Sequence, residues 1–477
     1  MREQILALDV GTSGLKAVLF EPDRGIFAMS EAGYGLPGEQ HRQDPPLWWQ
    51  AVVDAVGWLP KGQISAIVLS GTMENLIAVD DAGNAVFPAI LYSDPCGSSF
   101  LEQMAGELND AAMIIGNAPE PLMTLFKWRW FCANHPNEAR QTACILPGAK
   151  DFIAHRLTGR FVTDPVTATT TGLMDIRQRQ WSRTLTELAG LREELLPVIE
   201  PASAIIGSLT AAAASALGLT AGLPIINGCG DAGATTLGSF CDDEGDVSLY
   251  LGTSGWVARV ASEQSMDLDR PVYRLAHPSI AKIIEVLPIL SAGAATAWLR
   301  NLLGKTLEET ESLLTDADRT PPNLVFLPYL GGERSPFSDL GVRASFLGLD
   351  SAHDAAALAY AVLEGVSLAT RRNLLALDPI GRGQITLVGG GAASRVWPQL
   401  IADILERPIR VLSDPASATA LGACRIAADV LGWQVSESLS SRVIQPRAER
   451  FERLRRLGEV FDEGTVFARS IAPRLRG

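Results

Sequence analysis

Two short stretches carry donors at a spacing suited to phosphate. The first is Asp9-x-Gly11-Thr12-Ser13-x-x-Lys16. Glycine in a tight turn lets backbone N–H groups converge on an anion, and the Thr12 and Ser13 hydroxyls add donors. Asp9 ends an apolar run, where a carboxylate can hold a phosphate-bound Mg2+ through water. Lys16 opens the return run with a positive point charge. The second stretch is Gly252-Thr253-Ser254, with Tyr250 where the first has its aspartate. A turn for phosphate and metal facing a turn for phosphate alone would clamp a nucleoside triphosphate. The plainer alternative for each is a polar hairpin turn, with Lys16 in solvent. No Walker-type G-x-x-x-x-G-K-[ST] occurs.

A third group, Gly228-Cys229-Gly230-Asp231-Ala232-Gly233, lies between the strand-like LPII and the helix-like ATTLGS. It matches the G-x-G-x-x-G of dinucleotide turns, which would suit an NAD-dependent dehydrogenase. An aspartate inside that turn repels a pyrophosphate, however. A carboxylate at a strand end beside a helix start is better suited to take a proton from a substrate hydroxyl, with helix capping as its structural alternative. A fourth group, Leu387 to Ser394, runs from a strand into three glycines, whose bare backbone lets a flat ring or a sugar approach. Ala420-Leu421-Gly422-Ala423 reads as a set of small residues against which another backbone packs. The five histidines (His41, His135, His155, His277, His353) show no zinc spacing, and no G-x-S-x-G elbow is present.

The elements that must position these groups repeat a plan. ILALDVGTSGLKAVLF (5–20) and VSLYLGTSGWVARV (247–260) each predict a β-hairpin closed by G-T-S-G, half a chain apart. Further strand-like runs end at Gly71, Gly230 and Gly391. Helical periodicity covers 355–377 and 397–405. Strands interleaved with helices predict an α/β fold in two domains, 1–240 and 241–477, with a terminal helical segment over 441–470. Its amphipathic stretch 447–461 reads as a helix packing its Phe/Leu face on the body.

The 477 residues suffice for two large domains. Forty Lys+Arg against 54 Asp+Glu give a formal charge of −14, so nucleic-acid binding has no global electrostatic support. Six scattered cysteines without a C-x-x-C pair fit a reducing cytoplasm. The uncharged stretch 201–230 is broken by prolines and glycines, and no membrane span is expected.

Taken together, the D-x-G-T-S-x-x-K start, the central G-x-G-D, the later L-G-T-S, PYLGGERSPF (328–337), A-V-L-E-G (361–365) and G-G-G-A-x-S followed by A-L-G-A resemble the FGGY carbohydrate kinases over nearly the whole chain. Length and layout are nearest to the family's xylulokinase-like members. The helix around Lys127-Trp128-x-Trp130 resembles the family's first signature region. The resemblance implies two ribonuclease-H-like domains of the actin/hexokinase type, closing over ATP, Mg2+ and a small sugar or polyol. It implies that Asp9 supports the metal, that Thr12, Ser13 and Lys16 lie near phosphate, and that Gly252, Thr253 and Ser254 bind phosphate from the other domain. Gly390, Gly391, Ala392 and Ser394 would border the nucleoside, and Asp231 falls on the family's catalytic base. Met73, Glu74, Asp94 and Asp231 would contact the sugar.

Three sugar positions depart from the xylulokinase-like pattern. Thr72-Met73-Glu74-Asn75 stands for Gln-Met-His-Gly. Tyr92 to Cys96 stands for Trp-Asn-Asp-x-Arg and loses the arginine, and Asp231-Ala232 stands for Asp-Asn. The changes predict a more acidic pocket that disfavours an anionic sugar and favours a neutral ketopentose or related polyol. Another sugar substrate, a non-catalytic sugar-binding relative and a homodimeric assembly all stay open.

Overall fold

The computed structural model describes residues 3–35, 41–60, 62–108, 110–378, 381–435 and 441–475. Its framework is one strand plan used twice. In the first half, β1 (Glu3–Val10), β2 (Gly14–Glu21) and β3 (Gly25–Gly33) form an antiparallel meander. β4 (Gln63–Gly71) then pairs parallel to β1 on its other side. Beyond it lie β5 (Ile205–Ser208), antiparallel at the edge, and β6 (Pro224–Gly230), parallel to β4, giving the order β5-β6-β4-β1-β2-β3.

The second half has β7 (Val247–Leu251), β8 (Gly255–Ser262), β9 (Tyr273–Ala276), β10 (Lys282–Ile289), β11 (Ile385–Val388), β12 (Ile409–Leu412) and β13 (Ser441–Ile444). Their order is β9-β10-β8-β7-β11-β12-β13, again a meander followed by parallel neighbours and an antiparallel edge. Residues 441–444 are therefore a strand, although the whole terminal segment was expected to be helical. Ile444 pairs with Ile409 and completes the sheet edge. The terminal helix itself runs Phe451–Leu475.

Alternation along the strands sorts residues into three cores. Leu6, Leu8 and Val10 of β1 face α1 (Pro45–Trp58) and α2 (Ala149–Thr158). Ile5 and Ala7 face the opposite way, into a core shared with the second half, where Ala258, Ile284, Val388 and Leu412 meet them. Between the two sheets run α3 (Asp231–Gly238) and α4 (Ala418–Val430). The outer face of the second sheet is covered by helices 355–377, 397–405 and 451–475. Among the described residues no helix is long and apolar enough to cross a membrane.

α3 and α4 cross at glycine. A Cβ on Gly422 would overlap the Ala234 carbonyl oxygen, and one on Gly238 would overlap that of Ala418. Thr235 and Thr419 close the crossing with a hydroxyl pair at 2.8 Å. This is the close backbone approach that the small residues 420–423 predict. Gly422→Ala should destabilise the protein by about 1–3 kcal/mol through overpacking. Gly57→Ala, in a helix where a Cβ meets nothing within 4 Å, should be neutral or stabilising. Thermal unfolding of the two variants checks this; equal midpoints would refute the close crossing.

Candidate active site

The parallel strands β1, β4 and β6 lie side by side and end together. Val10 is in register with Gly71, and Gly71 with Gly230. In such sheets ligands gather beyond the carboxyl ends of the strands; Asp9 is the last residue but one of β1, and the segments leaving β4 and β6 carry Met73 and Glu74, and Asp231. The Thr72 N–H donates to the Val10 carbonyl at 3.0 Å, which draws the segment after β4 against the end of β1. A Cβ on Gly230 would overlap Met73 Sδ, so glycine there lets Met73 lie against the base of Asp231.

Asp9 and Asp231 share this edge. Burial raises the Asp9 carboxyl to about 6, with Lys16 pulling the other way. Burial, and then the negative charge of Asp9, raise Asp231 to about 7. Asp231 opens α3, with one carboxylate oxygen accepting from the Ala232 N–H at 2.8 Å. Lys16 stands opposite Asp9 in the hairpin, but its ammonium reaches Glu31 at 3.3 Å and the Ala416 carbonyl at 3.0 Å. Among the described residues the pair is thus left without an ion-pair partner. Among the described residues no cluster of three or more His, Cys, Asp or Glu exists to hold an ion. A cation at this edge would draw its remaining ligands from water or phosphate, as Mg2+ does on nucleotides, and the residues fit that group.

The two G-T-S turns differ in a way their shared tetrapeptide hides. In the first, Val10 pairs with Leu15 and the Gly11 N–H donates to the Gly14 carbonyl. In the second, Leu251 pairs with Gly255 and the Gly252 N–H donates to Ser254, so that loop is one residue tighter. Thr12, Ser13, Thr253 and Ser254 are all exposed. Tyr34 donates its hydroxyl to the Gly11 carbonyl at 3.0 Å and braces the first turn. The second turn abuts the triple-glycine segment. Gly389 has φ +87, and a Cβ on it or on Gly391 would press on Leu251. Gly390 faces open space and Ala392 is buried. The Ser394 hydroxyl is occupied with Glu311 and with the Trp397 N–H, so it shapes the turn rather than facing outward free.

Tyr250 joins the site from the second half. Its ring stacks on Trp256 at 3.9 Å and 10°. Burial raises its phenol, and Asp231 and Asp9 raise it further, so both sheets meet at these carboxylates. Only its place opposite Asp9 in the repeat hinted at this role.

In the neighbouring pocket, Glu74 has φ +60, a left-handed strain that costs a non-glycine residue of order 1–3 kcal/mol. Its backbone carbonyl accepts from Lys127 at 2.6 Å. Burial raises the Glu74 carboxyl, against the pull of Lys127, and burial lowers Lys127. Asp94 accepts from the Cys96 N–H at 2.9 Å and meets Arg42 Nε at 3.4 Å. The pocket is therefore less acidic than the loss of arginine at position 96 predicts. Arg42, far away in sequence, stands against Asp94, and Lys127 is buried beside Glu74. No local spacing signals either cation. Glu120 and Arg334 form an ion pair between the two halves.

The dinucleotide reading of residues 228–233 does not hold. Gly228 has φ +63, and a Cβ there would overlap the Leu69 carbonyl oxygen; Gly230 makes room for Met73. These glycines serve close strand packing, and β6 passes straight into α3 with Asp231 in its first turn.

Comparison with known proteins agrees with the two-domain α/β fold. Residues 4–238 match the N-terminal domain and residues 250–429 the C-terminal domain of the FGGY family of carbohydrate kinases. A xylulose kinase of Escherichia coli (strain K12) is 30% identical over 436 residues, covering 88% of this chain and 89% of that protein. A gluconokinase of Bacillus subtilis (strain 168) is 28% identical, covering 89% and 87%. The crystal structure of ligand-bound xylulose kinase from Lactobacillus acidophilus superposes with a TM-score of 0.87 at 26% identity, covering 98% of both chains.

Because Asp9 and Asp231 take up protons more readily in the folded chain than in the unfolded one, the ligand-free protein should lose stability as pH rises from about 4 to about 7. Asp231→Asn removes part of that loss, so its unfolding midpoint relative to the unchanged protein should be higher at pH 8 than at pH 5. Parallel midpoint-against-pH curves would contradict the assignment of the raised carboxyl.

Proposed function

The chain belongs to the FGGY family of carbohydrate kinases, ATP-dependent phosphotransferases, and we propose that it phosphorylates a hydroxyl of a small neutral sugar or polyol, a ketopentose such as xylulose first among them. The observation that supports this most directly is the Asp9–Asp231 edge, with Tyr250 of the second half beside it. In this reading Asp231 accepts the proton of the attacking hydroxyl. A carboxyl near 7 can both take that proton and release it at neutral pH, and such transfers contribute about 10²–10⁴-fold. Thr12 and Ser13 on one side and Thr253 and Ser254 on the other hold the phosphate chain in line with the acceptor. Asp9 would hold Mg2+ through water, and the ion would neutralise charge on the phosphates. The Glu120–Arg334 pair joins the two halves, and their closure over the substrates would keep water from competing as acceptor. The six unpaired cysteines fit a reducing cytoplasm.

Met73, Glu74 and Asp94 would meet the sugar. A second reading, an aldonic acid such as gluconate, draws on Lys127 and Arg42 beside these carboxylates and on the gluconokinase relative. Release of ADP with Mg-ATP over ketoses, aldoses, polyols and sugar acids separates the two. A neutral ketose or polyol should be turned over best; preference for gluconate would move the assignment, and no turnover on any of them would favour a non-catalytic relative. Asp231→Asn should lower turnover by about 10²–10⁴-fold with nucleotide affinity nearly unchanged. Survival of activity would place the base elsewhere.

A further inference from the structure

Behind the end of β6 lies a charged group that the mechanism above does not use. Lys150, Asp151 and Asp164 are fully buried. Lys150 Nζ lies 2.8 Å from Asp151 Oδ1, 3.1 Å from Asp164 Oδ2 and 3.0 Å from the Asn227 side-chain oxygen. Removing three charges from water costs several kcal/mol per ion, and a well-packed apolar replacement is often as stable. What this group holds is therefore more telling than what it adds to stability.

It holds β6 at two points. Asn227 is bound through its oxygen by Lys150 and donates its amide to the carbonyls of Thr163 and Glu200. Three residues on, the Gly230 N–H points to Asp164 Oδ1 at 3.4 Å. The same oxygen accepts from the Val166 and Thr167 N–H groups, and the Thr167 hydroxyl donates to the other oxygen at 2.6 Å. Gly230 is wedged between Met73 and that hydroxyl, since a Cβ there would strike both. The next residue is Asp231. We infer that the buried Lys150–Asp164 pair is a positioning device for Asp231, fixing the backbone from Asn227 to Gly230 so that the carboxylate meets the acceptor hydroxyl. This inference rests on the role of Asp231 proposed above.

Asp164→Asn keeps the size and one acceptor oxygen but loses the ion pair. Thr167→Val removes only the 2.6 Å bond and stands in for it should Asp164→Asn not fold. Three readouts apply to the full chain: kcat with the best sugar of the panel, the Kd of Mg-ADP by calorimetry, and a crystal structure showing the Asp231 carboxylate. A misplacement of about 1 Å can cost of order 10²-fold. The expected result is a folded Asp164→Asn protein with kcat lowered about 10–100-fold, Mg-ADP affinity within two-fold, and the Asp231–Ala232 bond displaced; Thr167→Val should show a smaller loss of the same kind. In the Asp231→Asn background the Asp164 change should have no further effect, because it acts through that carboxylate. Unchanged kcat in the folded variants, an equal loss in the Asp231→Asn background, or an Asp231 that stays in place would overturn the inference. Failure of the unaltered protein to phosphorylate any sugar would instead strike the role of Asp231, and the crystal structure would still decide the positioning.

Discussion

Two carboxylates, Asp9 and Asp231, sit at the ends of strands in one sheet, close enough for the charge of one to raise the other. Among the described residues neither forms an ion pair, because Lys16 reaches Glu31 and Ala416 and acts on Asp9 only through its charge. Such an arrangement is costly for a folded chain, and carboxyls raised in this way gather at functional sites. The parallel strands β1, β4 and β6 bring the groups to one edge, and the second sheet places Tyr250 and a donor turn beside them.

The duplication explains both the likeness and the asymmetry of the halves. Each half uses a meander followed by parallel strands, so each sheet carries its own G-T-S turn. Only the first turn follows an aspartate, and only the second is tightened by a residue. In the proposed reading, one side would thus meet the cation and the other phosphate oxygens alone. The α3–α4 crossing binds the sheets through backbone contact at Gly238 and Gly422, while Thr12, Ser13, Thr253 and Ser254 of the two turns stay exposed.

Much of this was legible from residue order. The hairpins around 11–14 and 252–255, the helices 355–377 and 397–405 and the close contact at 420–423 follow from periodicity and small residues. What escaped is long-range. Arg42 beside Asp94, Lys127 beneath Glu74, and Lys150 against Asp164 are partnerships set by tertiary packing, and no spacing rule reaches across it. The strand at 441–444 is four residues long at a sheet edge, with both Arg442 and Val443 exposed, so it carries no alternating pattern to read.

In the proposed reading the Asp9 carboxylate waits for the cation of a bound nucleotide, and proton linkage decides whether it does. Calorimetric titration with Mg-ADP near pH 6, repeated in buffers of different ionisation enthalpy, gives the protons released on binding. With Asp9 near 6, binding should release a measurable fraction of a proton, and Asp9→Asn should abolish that release. A binding enthalpy independent of buffer, or proton release that persists in Asp9→Asn, would contradict the account.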